Sequence, residues 1–283
     1  PINGACMGAQ GSKMPCPTLN YFSICGRGEL ARLICALGEV EFEDKTWAPA
    51  FDESGGWRQG YQAIGNAFGF PGTMPVLEHG DLKLFQTAAI ESYLASIAPK
   101  VFPGLTPAQK GKDMMFAQIK ADINASTESL LFKKIDGPAL TEILEKWYPI
   151  LEGLLPESGF VNGLATPTMA DLAVLVIAKG CMPFQAAPKL ASFDTVSKYP
   201  KIKRVADETA AFPAIAKFSR RQRAQDTDGR PVRHHGVVGQ ASGRSRPPPP
   251  AFPRATRQGG GRESDPVCHS AFDLDLPLAA ALS

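Results

Sequence analysis

Every strand-like segment of this chain lies within the first hundred residues, and every later periodic segment is helical. Residues 19–22 and 40–42 have strand-like patterns, and leucines and an isoleucine between them recur at helical spacing. A Gly-rich irregular segment over residues 48–73, a hairpin over 75–85 and a further helix complete this part. This order of elements predicts a small α/β sandwich with a mixed sheet.

The second part of the chain is predicted to be all-helical. Thr106 and Pro107 form a helix start, with a cap followed by proline at the first helical position, and this helix should run to about Leu131. The segment from Thr168 to Asp171 has the capping-box pattern immediately before an apolar helix. Further helical stretches are predicted after Asp136, around Val196 and around Ile215.

At about 150 residues per domain, a chain of 283 residues is expected to have about two domains. We assign residues 17–99 to the α/β domain and residues 100–225 to the helical domain, with residues 1–16 as a flexible arm. Roughly a quarter of residues 226–283 is proline plus glycine, with scattered arginine and no periodicity. Such a composition predicts a disordered C-terminal tail.

Charge and composition exclude several classes of function. Thirty Lys and Arg against 28 Asp and Glu give a net charge of +2, which does not favour nucleic-acid binding through overall charge. Three of the four histidines lie in the tail, so neither a catalytic histidine nor a histidine-ligated metal is expected in the folded part. Six cysteines without a CxxC pair predict no zinc site and a reducing, cytoplasmic setting. Neither a secretory signal nor a membrane-spanning segment is recognisable.

Three local motifs carry a resemblance to a known family. Tyr21 and Phe22 end the first strand candidate, and Gly26-Arg27-Gly28-Glu29 opens the following helix. The other two motifs are Met74-Pro75-Val76-Leu77-Glu78 with Phe85-Gln86-Thr87-Ala88-Ala89-Ile90, and Thr168-Met169-Ala170-Asp171. In this order and spacing they resemble the Tyr-type glutathione transferases, and are most similar to the sigma-like class. The resemblance covers about residues 17–222.

This resemblance implies a thioredoxin-like N-terminal domain, an all-helical C-terminal domain and a homodimer. It implies a cytoplasmic transferase of detoxification and glutathione metabolism, with glutathione as co-substrate and no other cofactor. The glutathione thiolate would be conjugated to a hydrophobic electrophile, or would reduce or isomerise it. A membrane is expected as a partner only if Gly8, which lies in a myristoylation-like pattern, is acylated.

The resemblance also implies the roles of individual residues. Tyr21 would be catalytic, because a phenol that donates a hydrogen bond to a thiolate favours the charged form of the sulfur. Arg27 would support it near the thiolate. A cis peptide bond is implied between Met74 and Pro75, which would turn the backbone of Met74 toward glutathione. The residues expected to bind glutathione are Phe22, Trp57, Met74, Pro75, Gln86 and Thr87, and no metal is implied.

Alternatives to this assignment remain open from the sequence. Thr87 could serve only as the cap of its helix, and Tyr21 could be a half-buried strand tyrosine. Cys25, just before a helix, could act as the nucleophile of a thiol-exchange enzyme. The chain could also be a non-catalytic scaffold of the same fold, tethered by lipid through residues 7–16. Residues 114–116, Met-Met-Phe, could form an apolar wall for the electrophile or simply pack in the helical domain.

Overall fold

The computed structural model describes residues 5–7, 13–22, 24–47, 74–132, 137–180, 184–195 and 197–227. The strands in these residues are β1 (Ala5–Met7), β2 (Lys13–Pro15), β3 (Thr18–Phe22), β4 (Glu43–Trp47), β5 (Val76–His79) and β6 (Leu82–Phe85). The helices are α1 (Glu29–Gly38), α2 (Thr87–Ile97), α3 (Pro107–Phe132), α4 (Gly137–Leu154), α5 (Met169–Lys179), α6 (Ala186–Leu190), α7 (Pro200–Ala211) and α8 (Pro213–Thr227), with a 3₁₀ turn at Phe102–Gly104. No described helix is both long and apolar enough to cross a membrane.

The main sheet has the strand order β4-β3-β5-β6. This order places the end of β3, the start of β5 and the end of β6 side by side. β3 and β4 run parallel and are connected through α1, while β5 is antiparallel to both β3 and β6. Asn20 lies opposite Val76, and Val76 lies opposite Phe85. The next residues outward, Tyr21, Pro75 and Gln86, therefore meet at one edge of the sheet.

One core extends through both domains. On α1 the residues Leu30, Leu33, Ile34 and Leu37 are buried, as their helical spacing predicts. The helix ends at Gly38, and Glu39 follows in the left-handed conformation with φ 56°. Leucines, isoleucines and valines of α1, α2, α3, α5 and α7 pack into the same cluster, so the sheet and the helical domain share a hydrophobic interior.

The start of α5 lies where the capping box of the sequence predicts it. Thr168 and Asp171 form a complete capping box at the start of α5, in which Asp171 accepts from the backbone N–H of Thr168 at 2.8 Å. A second carboxylate, Asp113 of α3, accepts from the Thr168 hydroxyl at 2.6 Å and from the backbone N–H of Ala170 at 3.0 Å. This buried network fixes α3 against the start of α5.

Several predicted elements differ from those observed. Residues 5–7 and 13–15 were expected to belong to a flexible arm, but they pair as antiparallel strands. The second strand of the sandwich spans 43–47 rather than 40–42, because the ladder with β3 begins at Glu43. The helix expected around Val196 begins only at Pro200, where proline occupies the first helical position. The tail, residues 228–283, lies outside the described residues.

Candidate active site

Three predicted site residues pack together where β3 ends. Tyr21, Phe22 and Met74 form a small buried cluster, with Ile24 packed against it. Tyr21 is 5% exposed, and its ring contacts that of Phe22 edge-on at a centroid distance of 5.5 Å. The cluster lies apart from the main core, so the β3 end and the segment before β5 are held against each other independently.

A glycine turn covers the tyrosine. The backbone N–H groups of Gly28 and Glu29 donate to the carbonyl of Cys25, at 3.1 and 3.0 Å, which closes the turn before α1. The backbone N–H of Arg27 donates to the Tyr21 hydroxyl at 2.9 Å. The hydroxyl therefore accepts a hydrogen bond from the turn, and a phenol hydroxyl is able to donate as well as accept.

The two glycines of the GRGE motif are required by this close approach. A Cβ on Gly26 would lie 2.5 Å from the Tyr21 hydroxyl oxygen, and the φ of Gly26 is +40°. A Cβ on Gly28 would lie 2.5 Å from Cδ1 of the same ring. Any other residue at either position would displace the ring or the turn, so the motif and the tyrosine form one structural unit.

The peptide bond between Met74 and Pro75 is cis, which confirms the expectation drawn from the resemblance. Met74 is 3% exposed and belongs to the Tyr21 cluster. The sheet register places Pro75 next to Tyr21 on one side and next to Gln86 on the other. Four predicted site residues, Tyr21, Met74, Pro75 and Gln86, are thus brought to one edge.

The start of α2 differs in one respect from the prediction. Thr87 is the first helical residue, and Gln86 rather than Thr87 occupies the capping position. Gln86 has φ 73° and ψ 118°, a strained conformation for a residue with a side chain, and it is exposed. The N–H groups in the first turn of an α-helix have no acceptor within the helix, so this turn is suited to an anionic group.

Some predicted residues are not brought into the site or cannot be placed. Trp57 and Gly8 lie outside the described residues. Phe116 is 1% exposed and packs in the main core, so it is not part of an electrophile wall, whereas Met115 is 40% exposed. Arg27 contributes to the tyrosine through its backbone N–H.

The cysteines also differ from the sequence-based expectation. Cys25 and Cys16 are each disulfide-bonded, so neither sulfur is a free thiolate in this state. Cys35 is a free thiol, but it is buried, and desolvation together with the nearby Asp44 carboxylate raises its pKa far above the ordinary value. The disulfides contradict the expectation that these cysteines are reduced, and they weaken the case for Cys25 as a nucleophile.

Sequence reasoning missed a buried arginine beside the tyrosine. Arg32 of α1 is 2% exposed, and its guanidinium carbon lies 5.7 Å from the centre of the Tyr21 ring. A sequence signal existed, because Arg32 interrupts the apolar stretch around Leu30, Leu33 and Ile34. In the part of the chain that is described, no group of three or more His, Cys, Asp or Glu side chains could hold a metal.

The chain is similar in sequence to known glutathione transferases and to a prostaglandin D synthase. A family model described as "Glutathione S-transferase, N-terminal domain" matches residues 17–96. The hematopoietic prostaglandin D synthase of Gallus gallus is 26% identical over 212 residues, which cover 72% of this chain and 94% of that protein. A Dictyostelium discoideum protein described as "Putative glutathione S-transferase alpha-2" is 25% identical over 205 residues, which cover 71% of this chain and 92% of that protein.

The fold agrees with solved structures as well. The glutathione S-transferase from Ascaris lumbricoides superimposes with a TM-score of 0.57 at 26% identity, covering 74% of this chain and 98% of that one. The similarity therefore extends through the helical domain, beyond the residues that the family model matches.

Proposed function

Because the chain belongs to the glutathione transferase family, we propose that Tyr21 stabilises the thiolate of a glutathione molecule bound at the carboxyl end of β3. The observation that carries this proposal is the hydrogen bond of 2.9 Å from the Arg27 backbone N–H to the Tyr21 hydroxyl. It holds the phenol at the strand end, beside the cis Met74–Pro75 bond and the start of α2.

The chemistry follows from the acidity of a thiol. A free cysteine thiol has a pKa of about 8.5, so it is mostly protonated and a poor nucleophile at neutral pH. A hydroxyl that donates to the sulfur favours the anion. The Arg27 N–H polarises the same hydroxyl and makes it a stronger donor. The N-terminus of α1 follows immediately and contributes about 0.3–1 kcal/mol for a nearby anion.

We assign the other predicted residues to holding the tripeptide. The backbone of Met74 would pair with the cysteinyl part of glutathione in the manner of an added strand, with Phe22 and Pro75 beside it. Gln86, Thr87 and the first turn of α2 would receive the γ-glutamyl carboxylate. Trp57 would contact the glycyl end. No other cofactor and no metal enter the proposed reaction.

The proposed reaction is thiolate attack on a hydrophobic electrophile. The sulfur lone pair forms a new S–C bond, the leaving group departs with the electron pair of its own bond, and the thiol proton passes to solvent. Reduction or isomerisation with the same thiolate belongs to the same proposal. Met115 is exposed on α3, and we assign it to contact with the electrophile.

We test this proposal with Tyr21→Phe, assayed with glutathione and an aryl halide beside the wild type. Loss of a hydrogen bond to a charged group costs about 1.5–3 kcal/mol, which predicts a loss of roughly 10- to 100-fold in kcat/KM at neutral pH. Cys25→Ser is the matched variant in the same loop and should keep most of the conjugation activity. Wild-type activity in Tyr21→Phe would refute the mechanism.

The same assays separate the two alternatives. A chain that is retained on glutathione resin but conjugates no electrophile would be a scaffold of this fold. A reducing activity that disappears only in Cys25→Ser would indicate thiol exchange. The disulfide at Cys25 disfavours the second outcome, because the sulfur would first have to be released by reduction.

We further propose a homodimer, as is general in this family. Leu82 and Phe85 support it, since both are more than a third exposed on the edge strand β6 and would be covered by a second copy. Sedimentation equilibrium checks the assembly: twice the chain mass is expected, and a monomer at micromolar concentration would contradict it.

The cytoplasm is the compartment proposed from the sequence. The disulfides at Cys16 and Cys25 argue against it, because disulfides persist mainly in oxidising compartments. Alkylation of thiols in freshly lysed cells, followed by mass spectrometry, distinguishes a reducing compartment such as the cytoplasm from an oxidising one. Alkylated Cys16 and Cys25 support the cytoplasm, and protected ones exclude a reducing setting.

A further inference from the structure

Arg32 makes an unusually complete set of contacts for a buried charge. Its Nε and Nη2 donate to the two carboxylate oxygens of Asp44, at 2.8 and 3.2 Å. Its Nη1 donates to the carbonyl of Ile24 at 2.8 Å and reaches the Glu29 carboxylate at 3.5 Å. Its Nη2 also donates to the carbonyl of Phe22 at 3.1 Å. A guanidinium has five N–H donors, and five acceptor atoms surround this one.

The two carbonyls that Arg32 binds belong to residues that follow Tyr21 closely in the chain. Phe22 is the last residue of β3, and Ile24 lies two residues beyond it, before the glycine turn. The carboxylate of Asp44, on the parallel neighbour β4, fixes the guanidinium from the other side. Strand β4, helix α1 and the exit of β3 are therefore joined at a single side chain.

The charge is stable in this environment. Burial by itself lowers the pKa of the Arg32 guanidinium, but the carboxylates of Asp44 and Glu29 outweigh burial and raise the pKa. The side chain is 2% exposed, so the cation is not free to move into solvent. A fully bonded, buried guanidinium restrains the groups around it more firmly than a lysine, which has three donors and no planar fork.

We propose that Arg32 is a positioning residue of the transfer reaction, one that holds the exit of β3 and the glycine turn so that the Tyr21 hydroxyl stays at the glutathione sulfur. This inference rests on the proposed function of Tyr21. Arg32 acts through the backbone carbonyls of Phe22 and Ile24 and through the face of the Tyr21 ring, 5.7 Å away. We assign it no contact with substrate or with the reacting atoms.

The test compares Arg32→Lys with Arg204→Lys. Arg204 is a matched control, because its guanidinium also holds two loop carbonyls, those of Pro156 and Gly159, and a carboxylate, Glu208, in the helical domain. A misplacement near 1 Å at a reacting centre costs up to about 100-fold, so Arg32→Lys should lose roughly 10- to 100-fold in kcat. The KM for glutathione should stay within about twofold, since Arg32 contacts only one of the residues assigned to the tripeptide, Phe22, and does so at its carbonyl.

Titration of the thiolate absorbance of bound glutathione gives a second readout. In Arg32→Lys the sulfur should ionise at higher pH than in the wild type, as in Tyr21→Phe, whereas Arg204→Lys should leave this titration unchanged. A wild-type kcat and thiol titration in folded Arg32→Lys would overturn the inference. So would a rise in KM at unchanged kcat, which indicates a binding role.

A double-mutant cycle separates this inference from the function on which it rests. If Arg32 acts through Tyr21, Arg32→Lys should cost roughly 10- to 100-fold in kcat in the wild-type background and little in the Tyr21→Phe background. Equal losses in both backgrounds overturn it. Should Arg32→Lys fail to fold, Asp44→Asn, which loosens the guanidinium from β4, takes its place in the same cycle with the same criterion. Wild-type activity of Tyr21→Phe alone would refute the proposed function instead.

Discussion

At the scale of single residues, the tyrosine and the two glycines that cover it form the site together. Gly28 has φ −88° and ψ −17°, which any residue can adopt, so only the space around it requires glycine. A Cβ there would lie 2.5 Å from Cδ1 and 2.9 Å from Cγ of Tyr21. Because real Cβ atoms do not approach so closely, the ring must move, and its hydroxyl moves with it.

Gly28→Ala is therefore expected to lower kcat about 10- to 100-fold through displacement of the Tyr21 hydroxyl. Gly153→Ala is the matched control, since no heavy atom lies within 4 Å of the added Cβ in α4. It should leave kcat unchanged and stabilise the helix by about 0.5–1 kcal/mol. Steady-state kinetics and urea unfolding measure both effects. Equal kcat in the two variants would contradict the role given to the turn.

The residue scale also marks where sequence reasoning ends. Tyr21 and its glycines could be predicted because they are adjacent in the chain and form a recognisable motif. The contact between Arg32 and Asp44 could not, because it joins residues on α1 and β4 through a register that only the folded sheet defines. The strained backbone of Gln86 was likewise hidden, since glutamine carries no signal for a positive φ.

At the scale of elements, a buried ion pair links the helix that begins at Thr87 to the helical domain. Glu91 of α2 and Lys120 of α3 are hydrogen-bonded, and both side chains are 2% exposed. Burial raises the pKa of Glu91, although the Lys120 ammonium works against the rise. The pair therefore fixes α2 against α3 at a cost in desolvation that the mutual attraction offsets only in part.

Removing one partner should show this cost. Lys120→Met leaves the Glu91 carboxylate buried without its cation and is expected to destabilise the fold by about 3–5 kcal/mol. The loss should be greater at pH 8 than at pH 5, because burial favours the protonated form of Glu91 and protonation removes the uncompensated charge. Lys100→Met, which breaks an exposed pair with Glu39, should cost less than about 1 kcal/mol. Urea unfolding of both variants at both pH values provides the comparison.

The capping box of α5 predicts a pH dependence of stability. Burial raises the pKa of Asp171 to about 6, although backbone N–H groups of Val161 and Thr168 lower it, and the nearby Asp113 carboxylate raises it further. The folded-state pKa is therefore above the ordinary value of 3.8, so the folded chain keeps a proton that the unfolded chain releases. This contribution to stability is complete below about pH 4 and is lost as pH rises through about 6.

Unfolding free energies of the wild type and Asp171→Asn between pH 4 and 7 measure this contribution. The wild type should lose stability over this range relative to the variant, because the variant has no carboxyl to ionise at this position. The variant should be less stable in absolute terms, since an amide has one oxygen where Asp171 uses both, one for Val161 and one for Thr168. Parallel pH profiles would contradict the assignment.

Helix positions were more predictable than strand positions. The starts at Pro107, Gly137 and Met169 follow capping residues and prolines that act locally. The bounds of β4 depend instead on pairing with β3, so the alternating residues 40–42 were mistaken for the strand. The strands β1 and β2 have no local signal in a segment of small and polar residues, and only their pairing defines them.

At the scale of the whole molecule, one interior joins the two predicted domains. Ile90 of α2 and Ile119 of α3 belong to the same buried cluster as Leu30 of α1 and Val174 of α5. Residues 17–99 and 100–225 were predicted as separate units from their different periodicity. Their shared core indicates that they should unfold together, in a single cooperative transition.

Removing residues 228–283 should leave this unit intact. The helix α8 extends to Thr227, and Ile215 in it is fully buried against the shared core, so a chain that ends at Thr227 retains every described element. The relatives are matched over 92% and 94% of their own lengths by 71% and 72% of this chain, which leaves the remainder outside the shared architecture.

We expect the shortened chain to have wild-type kcat/KM for conjugation and an unfolding free energy within about 0.5 kcal/mol of the wild-type value. A second truncation before Pro213, which removes the buried Ile215, is the matched control and should be strongly destabilised. A tenfold loss of activity in the first truncation would mean that the tail contributes to the site or to the core.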